Sequence, residues 1–201
     1  MTTKYGFSDV REQLVNSIKD GYPTKWEDFE AAKVLGEDIF GLPKPHPNAV
    51  LNLFLEQCIN FALPFAAYQA GISGFSALVS DAPSTILQRF TLASIVRGMG
   101  EMRRVMAVVA HNIVCDENLG VCVGGACALG VGAGQRVGAL NKIFKVMVEG
   151  SEGDMLSSLS LGPLVCMYCA KQLEEVHADC RRKYIWAAFP GLLGWRSWEG
   201  V

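Results

Sequence analysis

The chain has 201 residues, a length sufficient for one domain or a tightly packed pair of domains. Half of the residues are hydrophobic, only 19% are charged, and the net charge at neutral pH is -2. Because there is no excess of positive charge, the composition excludes bulk electrostatic attraction to nucleic acid or to an anionic membrane surface.

The N-terminal part of the chain predicts two short helices. Apolar residues at four-residue spacing indicate a helix from Ser8 to Gly21. Thr24 and Glu27 then form a capping box, in which each side chain satisfies a free backbone N–H of the other residue, and this predicts a second helix as far as about Leu35. The first nine residues contain no apolar stretch typical of a secretory signal, so we expect an intracellular protein, in the cytoplasm or nucleus, with reduced thiols.

The next region is expected to form buried helices. The prolines within residues 41–47 keep their preceding residues out of the helical conformation, and Asn48 is expected to cap the helix that follows. Residues 57–80 carry no charge and are numerous enough to cross a bilayer, but polar residues and a proline interrupt them and acidic residues flank them. Core helices with a stop at Gly71 are therefore expected, without a membrane span.

The second half of the chain predicts one long helix, a glycine-rich loop and two further helices. The long helix is expected from Thr91 to about Val114, with His111 on its buried face. Seven glycines between residues 120 and 138 are typical of a loop. Helices are then expected over residues 135–148 and 163–188.

No segment shows the alternating pattern of a strand, so the helical periodicity defines the fold class. We predict an all-α fold, a compact bundle of about seven helices with a glycine-rich loop. A single domain is expected over residues 1–201, with residues 1–21 as its N-terminal helix. The basic run Arg181-Arg182-Lys183 is interpreted as a solvated helix face rather than a phosphate site.

Four of the seven cysteines have a spacing typical of metal ligands. Cys166 and Cys169 form a Cys-x-x-Cys pair at the start of the terminal helix, where positions i and i+3 face the same way. Cys122 and Cys127 belong to the glycine-rich loop, whose backbone can fold closely around an ion. Two thiolate pairs predict a closed, tetrahedral and structural zinc site. The reserve ligands are His177, Cys180 and Cys115.

Other interpretations of the cysteines stay open at this point. Cysteine is a common small core residue, and some of the seven could also pair as a disulfide. A Cys-x-x-Cys pair also serves thiol redox enzymes, in which a helix N-terminus lowers the pKa of the attacking thiol. Such enzymes place the pair after a strand, which this sequence does not predict. No catalytic residue is assigned, and a small redox enzyme using Cys166 and Cys169 is kept as the alternative function.

Three blocks of the sequence resemble one family. They are Tyr22-Pro23-Thr24-x-Trp26-x-x-Phe29, the helix pair from Ala49 to Tyr68, and the Cys-x-x-Cys helix with its Arg-Arg-Lys-aromatic run and its Phe-Pro-x-x-x-Gly-Trp-x-x-Trp-Glu ending. Together they resemble the helical region that follows the BTB/POZ domain in BTB-domain proteins of mushroom-forming fungi. The resemblance covers residues 22 to 199, and the BTB fold itself is absent. It implies a protein-interaction or regulatory role with an unidentified protein partner, and no catalytic chemistry.

The C-terminal aromatic residues have two interpretations. Tryptophan is concentrated at interface hot spots, so Trp186, Trp195 and Trp198 are candidate interaction residues. Alternatively, the tail folds back over Trp26 and Phe29 and closes the core, because so many large aromatic side chains rarely stay exposed on a monomer. The sequence therefore favours a non-catalytic intracellular interaction module with a structural zinc ion, acting without nucleic acid or membrane.

Overall fold

The computed structural model describes residues 8–35, 45–79, 85–115, 122, 127, 129, 133–150, 154–161 and 165–195. All regular structure within these residues is helical and no strand is present among them, which confirms the all-α class. The Cα positions form two compact units, Met1–Val96 with Leu193–Val201, and Arg97–Leu192. That the whole chain acts as one domain stays a prediction.

The first unit begins with the two helices that local signals predict. Its elements are α1 (Ser8–Gly21), α2 (Trp26–Leu35), α3 (Pro47–Glu56), a 3₁₀ turn (Asn60–Ala62), α4 (Leu63–Ile72), α5 (Phe75–Leu78) and the first residues of α6 (Arg89–Cys115). Helix α4 passes the predicted stop at Gly71 and ends before Gly74, whose φ of 95° is a left-handed conformation that favours glycine.

Helix α4 forms the centre of this unit. Seven of its ten residues are buried: Leu63, Pro64, Phe65, Ala66, Ala67, Tyr68 and Ala70. A helix that is apolar on nearly all sides is typical of a protein interior, which explains the uncharged stretch in the sequence. Among the described residues, no helix combines the length and the hydropathy that crossing a membrane requires.

Asn48 does not cap α3, which corrects the sequence prediction. The cap is His46, whose Nδ1 accepts a hydrogen bond from the backbone N–H of Asn48 at 3.3 Å, and Pro47 occupies the first helical turn. The Asn48 side chain is fully buried, and its Nδ2 donates to the carbonyl oxygens of Leu78 at 3.3 Å and Thr85 at 3.0 Å. Asn48 therefore holds two distant backbone segments on α3.

The turn between α1 and α2 places Tyr22 against the aromatic core. Its ring meets Phe54 edge-on with centroids 4.8 Å apart, and Phe65 at 6.1 Å. Burial raises the pKa of the Tyr22 phenol from 10.0 to about 12. Between these two values only the unfolded chain ionises at this position, so stability is present below pH 10.0 and is lost as the pH rises towards 12.

Tyr22→Phe is therefore expected to remove part of the alkaline loss of stability. The free energy of unfolding in urea should fall by about 1 kcal/mol less in the variant than in the wild type between about pH 9 and about pH 11.5, because the phenol is half-buried and solvent screens part of the effect. Tyr184→Phe is the matched control, because the Tyr184 side chain is 46% exposed. An equal loss in the wild type and in Tyr22→Phe would contradict the burial argument.

The second unit contains the remaining helices. They are the rest of α6, α7 (Ala133–Gly150), α8 (Met167–Cys180), a π-helical segment (Arg181–Trp186) and α9 (Phe189–Leu192). The predicted helix over 163–188 is thus divided, and the Ala187 N–H donates to the Arg182 carbonyl at 3.2 Å, five residues back. Helix α6 begins two residues before the predicted cap, Thr91. His111 is exposed rather than buried.

The core of the second unit joins α6, α7 and α8. Each helix contributes a core residue that is at most 4% exposed: Ile113 from α6, Ile143 from α7 and Leu173 from α8. Cys122 and Cys169 are buried members of the same core. Two of the predicted metal ligands are therefore held by the main apolar packing of this unit.

Candidate metal centre

Helix α8 supplies the first cysteine pair at its N-terminus. Cys166 is the N-cap residue, with an extended backbone (φ -68°, ψ 160°), and Cys169 lies in the first turn. Positions three apart on a helix are neighbours on its surface, so both thiols point to the same side. Cys169 is fully buried and Cys166 is half-buried. The predicted geometry of the Cys-x-x-Cys pair is present.

The second pair comes from the segment between α6 and α7. Cys122 is buried and Cys127 is half-buried. Most of the residues around them, in the predicted glycine-rich loop, lie outside the described residues. From Ala133 onwards this stretch is helical, because α7 begins there.

The four sulfur atoms converge. All Sγ atoms of Cys122, Cys127, Cys166 and Cys169 lie within 4.8 Å of one another. Cys122 and Cys166 are 3.8 Å apart, and so are Cys127 and Cys169. In a tetrahedron of four sulfurs at about 2.3 Å from a zinc ion, neighbouring sulfurs are about 3.8 Å apart. The arrangement could hold one metal ion.

Opposite effects act on the acidity of two of these thiols. A hydrogen bond from the backbone N–H of Cys166 is the main cause that lowers the pKa of the Cys127 thiol, and the backbone at Leu129 contributes in the same direction. Burial raises the pKa of the Cys169 thiol above its ordinary value. A cation at the centre of the cluster would favour the thiolate form of every ligand, including the buried one.

With a metal ion bound, this cluster would form a closed site. Four protein sulfurs fill a tetrahedral coordination shell and leave no position for substrate or water. All seven cysteines are free thiols, so no disulfide links the two pairs. Of the Cys-x-x-Cys pair that the redox alternative uses, Cys169 is buried, and burial raises the pKa of its thiol.

The reserve ligands are outside the cluster. His177 is buried two turns further along α8. Cys180 is half-buried at the end of α8, where burial raises the pKa of its thiol. Cys115 is exposed at the end of α6, with its Sγ 3.7 Å from Nε2 of His111.

The predicted interaction residues lie in different environments. Trp186 is 4% exposed and stacks on Phe189 with ring centroids 5.8 Å apart, so it belongs to the interior of the second unit. Trp195 is half-buried, and Trp198 lies outside the described residues. Just before Trp195, a β-carbon added to Gly194 would lie 3.6 Å from the Ser94 hydroxyl of α6. The interaction role of the three tryptophans stays a prediction.

Arg181 is a structural residue that the sequence interpretation missed. It is 1% exposed, its guanidinium pairs with Glu174 at 2.9 Å, and it donates a second hydrogen bond to the carbonyl of Leu156. Glu174 also accepts the backbone N–H of Leu159 at 2.7 Å. The ion pair therefore fastens residues 156–159 to α8. The sequence did contain a signal for this ion pair, because the opposite charges of Glu174 and Arg181 are seven residues apart and therefore lie on one helix face.

Comparison with known proteins gives no match to this chain among family models, curated proteins or solved structures. The resemblance to a BTB-associated helical region therefore stays an expectation.

Proposed function

We propose that Cys122, Cys127, Cys166 and Cys169 bind one structural zinc ion, and that the chain is a non-catalytic intracellular interaction module whose fold this ion stabilises. The observation that carries the proposal is the convergence of four sulfur atoms within 4.8 Å. It supports metal binding more strongly than sequence spacing does, because the pairs come from separate parts of the chain.

The donor set favours zinc over other common metals. Four thiolates are soft ligands, and a tetrahedral four-sulfur site is typical of zinc or of iron–sulfur centres. An iron–sulfur cluster distributes its four cysteine ligands over two or four iron atoms, so it would hold sulfurs on different irons further apart than a single ion does. The short distances within this group suit a single ion.

The proposed role of the ion is to join the residues after α6 to the start of α8. Each of the two 3.8 Å contacts connects one cysteine of the first segment with one of the second. Binding energy at such a site contributes directly to folding, because the unfolded chain does not hold the four ligands together. The site therefore acts as a cross-link within the second unit.

Exposed apolar residues at the site support the interaction role. Met167 is 88% exposed and Tyr168 is 62% exposed, and both lie between the ligands Cys166 and Cys169. A bound ion would fix the backbone on both sides of them. Large apolar side chains on a rigid turn suit recognition of a protein partner, since little backbone freedom is lost on binding.

Metal analysis of protein purified without chelator tests the zinc proposal. We expect about one zinc per chain, and a loss of most of it in Cys166→Ser, because three thiolates bind zinc far more weakly than four. Cys58→Ser and Cys115→Ser are matched controls, since both thiols are exposed and lie outside the cluster. Zinc below about 0.2 equivalents, together with free titration of all thiols in the folded protein, would reject the proposal.

A further inference from the structure

The four clustered cysteines differ in their access to solvent. Cys127 and Cys166 are half-buried, whereas Cys122 is 8% exposed and Cys169 is fully buried. Each of the two segments therefore supplies one thiol that a small molecule in solution can reach and one that the protein covers. A centre that is closed to a further ligand on the metal is still open at two of its sulfur atoms.

The short contacts between the segments join an accessible thiol to a buried one in both cases. The Sγ of Cys166 lies 3.8 Å from the Sγ of Cys122, and the Sγ of Cys127 lies 3.8 Å from the Sγ of Cys169. In thiols that respond to oxidants, an accessible cysteine reacts first and a neighbouring cysteine then completes a disulfide. The cluster contains two such pairs, each of which crosses from one segment to the other.

A disulfide within either pair requires a small movement of the sulfur atoms. The bonded distance is about 2.05 Å, so the two sulfurs of a pair must approach each other by about 1.8 Å. Rotation about the Cα–Cβ bond is the least costly way to move a cysteine sulfur. Because Cys127 and Cys166 are only half-buried, their side chains rotate with less loss of packing than a core residue would suffer.

We propose that Cys127 and Cys166 are peroxide-reactive thiols, and that hydrogen peroxide converts the four-cysteine centre into two disulfides, Cys122–Cys166 and Cys127–Cys169. The inference rests on the proposed function, because it concerns the regulation of the same site. Both disulfides join the two segments that the zinc ion joins. Oxidation therefore releases the metal and keeps the cross-link.

The reaction of each pair is balanced by one molecule of peroxide. The accessible thiolate attacks one peroxide oxygen, the O–O bond breaks, and a sulfenic acid and a hydroxide ion form. The buried thiolate then attacks the sulfenic sulfur, the S–S bond forms, and a second hydroxide ion leaves. The two thiolates lose two electrons and the peroxide gains them, while protons from solvent convert both hydroxide ions to water. Each disulfide removes two metal ligands, so the second one leaves none.

The exposed residues between two of the ligands give this reaction a consequence. Met167 is 88% exposed and Tyr168 is 62% exposed, and Cys166 and Cys169 flank them. In the zinc-bound state both flanking cysteines are held by one ion. In the oxidised state they belong to two different disulfides, so the oxidation state of the thiols determines how this surface is held.

Peroxide treatment of the full-length, zinc-loaded protein tests the inference, with a colorimetric chelator to follow zinc and mass spectrometry of unreduced peptides to assign disulfides. Cleavage after Tyr168 and before Val123 separates the cysteines within each segment. We expect release of most of the zinc, formation of Cys122–Cys166 and Cys127–Cys169, and reversal by dithiothreitol with added zinc. Disulfides within a segment, the opposite pairing between segments, or oxidation to sulfinic acids without disulfides would each overturn the inference.

Trapping of sulfenic acid with dimedone tests which thiol of a pair reacts first. In Cys122→Ser, Cys166 lacks the partner that completes its disulfide, so dimedone present during peroxide treatment is expected to label Cys166. In Cys166→Ser, the remaining Cys122 should be labelled at least about fivefold less, because it is buried. Circular dichroism checks that both variants remain helical. Equal labelling of the two thiols would contradict the assignment of Cys166.

Two further comparisons separate this inference from the zinc proposal and from the other thiols. The zinc content before oxidation tests the metal site, whereas the disulfide connectivity after oxidation tests the inference, so the two failures are distinguishable. Cys58→Ser and Cys115→Ser are the matched controls, since these exposed thiols lie outside the cluster, and both should release zinc as the wild type does. Loss of zinc release in either control would show that the reactive thiol is elsewhere.

Discussion

Cys169→Ala is expected to lower the melting temperature by about 6 to 12 °C, because it removes one of the four proposed zinc ligands from the core of the second unit. Structural zinc contributes about 10 kcal/mol or more to the folding free energy of small peptides. For one ligand of a larger chain, we take a loss of about 3 kcal/mol of folding free energy as a conservative value. For proteins of this size, 1 kcal/mol corresponds to about 2 to 4 °C. Differential scanning calorimetry measures the shift.

A strong zinc chelator separates this effect from the simple loss of a buried thiol. The chelator should lower the melting temperature of the wild type by a similar amount and leave Cys169→Ala almost unchanged, since both then lack the ion. Cys115→Ala is the control, because its exposed thiol lies outside the cluster, and it should respond to the chelator as the wild type does. If the chelator has no effect on the wild type, the four cysteines are core residues only.

Arg181→Met is expected to destabilise the protein by about 1 to 3 kcal/mol, because it removes the buried guanidinium that pairs with the Glu174 carboxylate, and that carboxylate is itself 31% exposed. The Leu156 carbonyl loses a buried hydrogen bond in the same variant. Urea unfolding of the wild type and the variant gives the difference. Adding Glu174→Gln to Arg181→Met should recover part of the loss, since no unpaired charge is then left behind.

The neighbouring arginine provides the control. Arg182 pairs with Asp179 at 2.8 Å, but the side chains are 54% and 61% exposed. Exposed pairs of this kind contribute at most about 1 kcal/mol, so Arg182→Met should be nearly neutral. If Arg181→Met and Arg182→Met lower the free energy of unfolding by similar amounts, the burial of Arg181 does not determine its contribution to stability.

The features that the sequence predicted well are those that local chemistry determines. The bounds of α1 follow from apolar spacing and from Gly21 and Pro23, and α2 ends at the predicted Leu35 but begins at Trp26, two residues after the predicted cap Thr24. The four cysteines were also identified correctly as a converging group. Their residue type and pairing carry that information, because metal ligands must meet wherever their segments lie in the chain.

Two of the failed predictions, those for Asn48 and Arg181, concern side chains with partners that are distant in sequence. The side-chain partners of Asn48 are Leu78 and Thr85, 30 and 37 residues away. A polar residue after prolines has the local pattern of a cap, and nothing nearby reveals those carbonyls. The buried Arg181 was taken for part of a solvated basic run for the same reason, since one of its partners, Leu156, is 25 residues away.

X-ray absorption at the zinc K-edge, recorded on the purified protein, tests the central claim most directly. The account predicts four sulfur neighbours at about 2.3 Å and no nitrogen or oxygen in the first coordination shell. A shell that contains nitrogen or oxygen, or the absence of any zinc signal, would contradict a closed centre formed by Cys122, Cys127, Cys166 and Cys169.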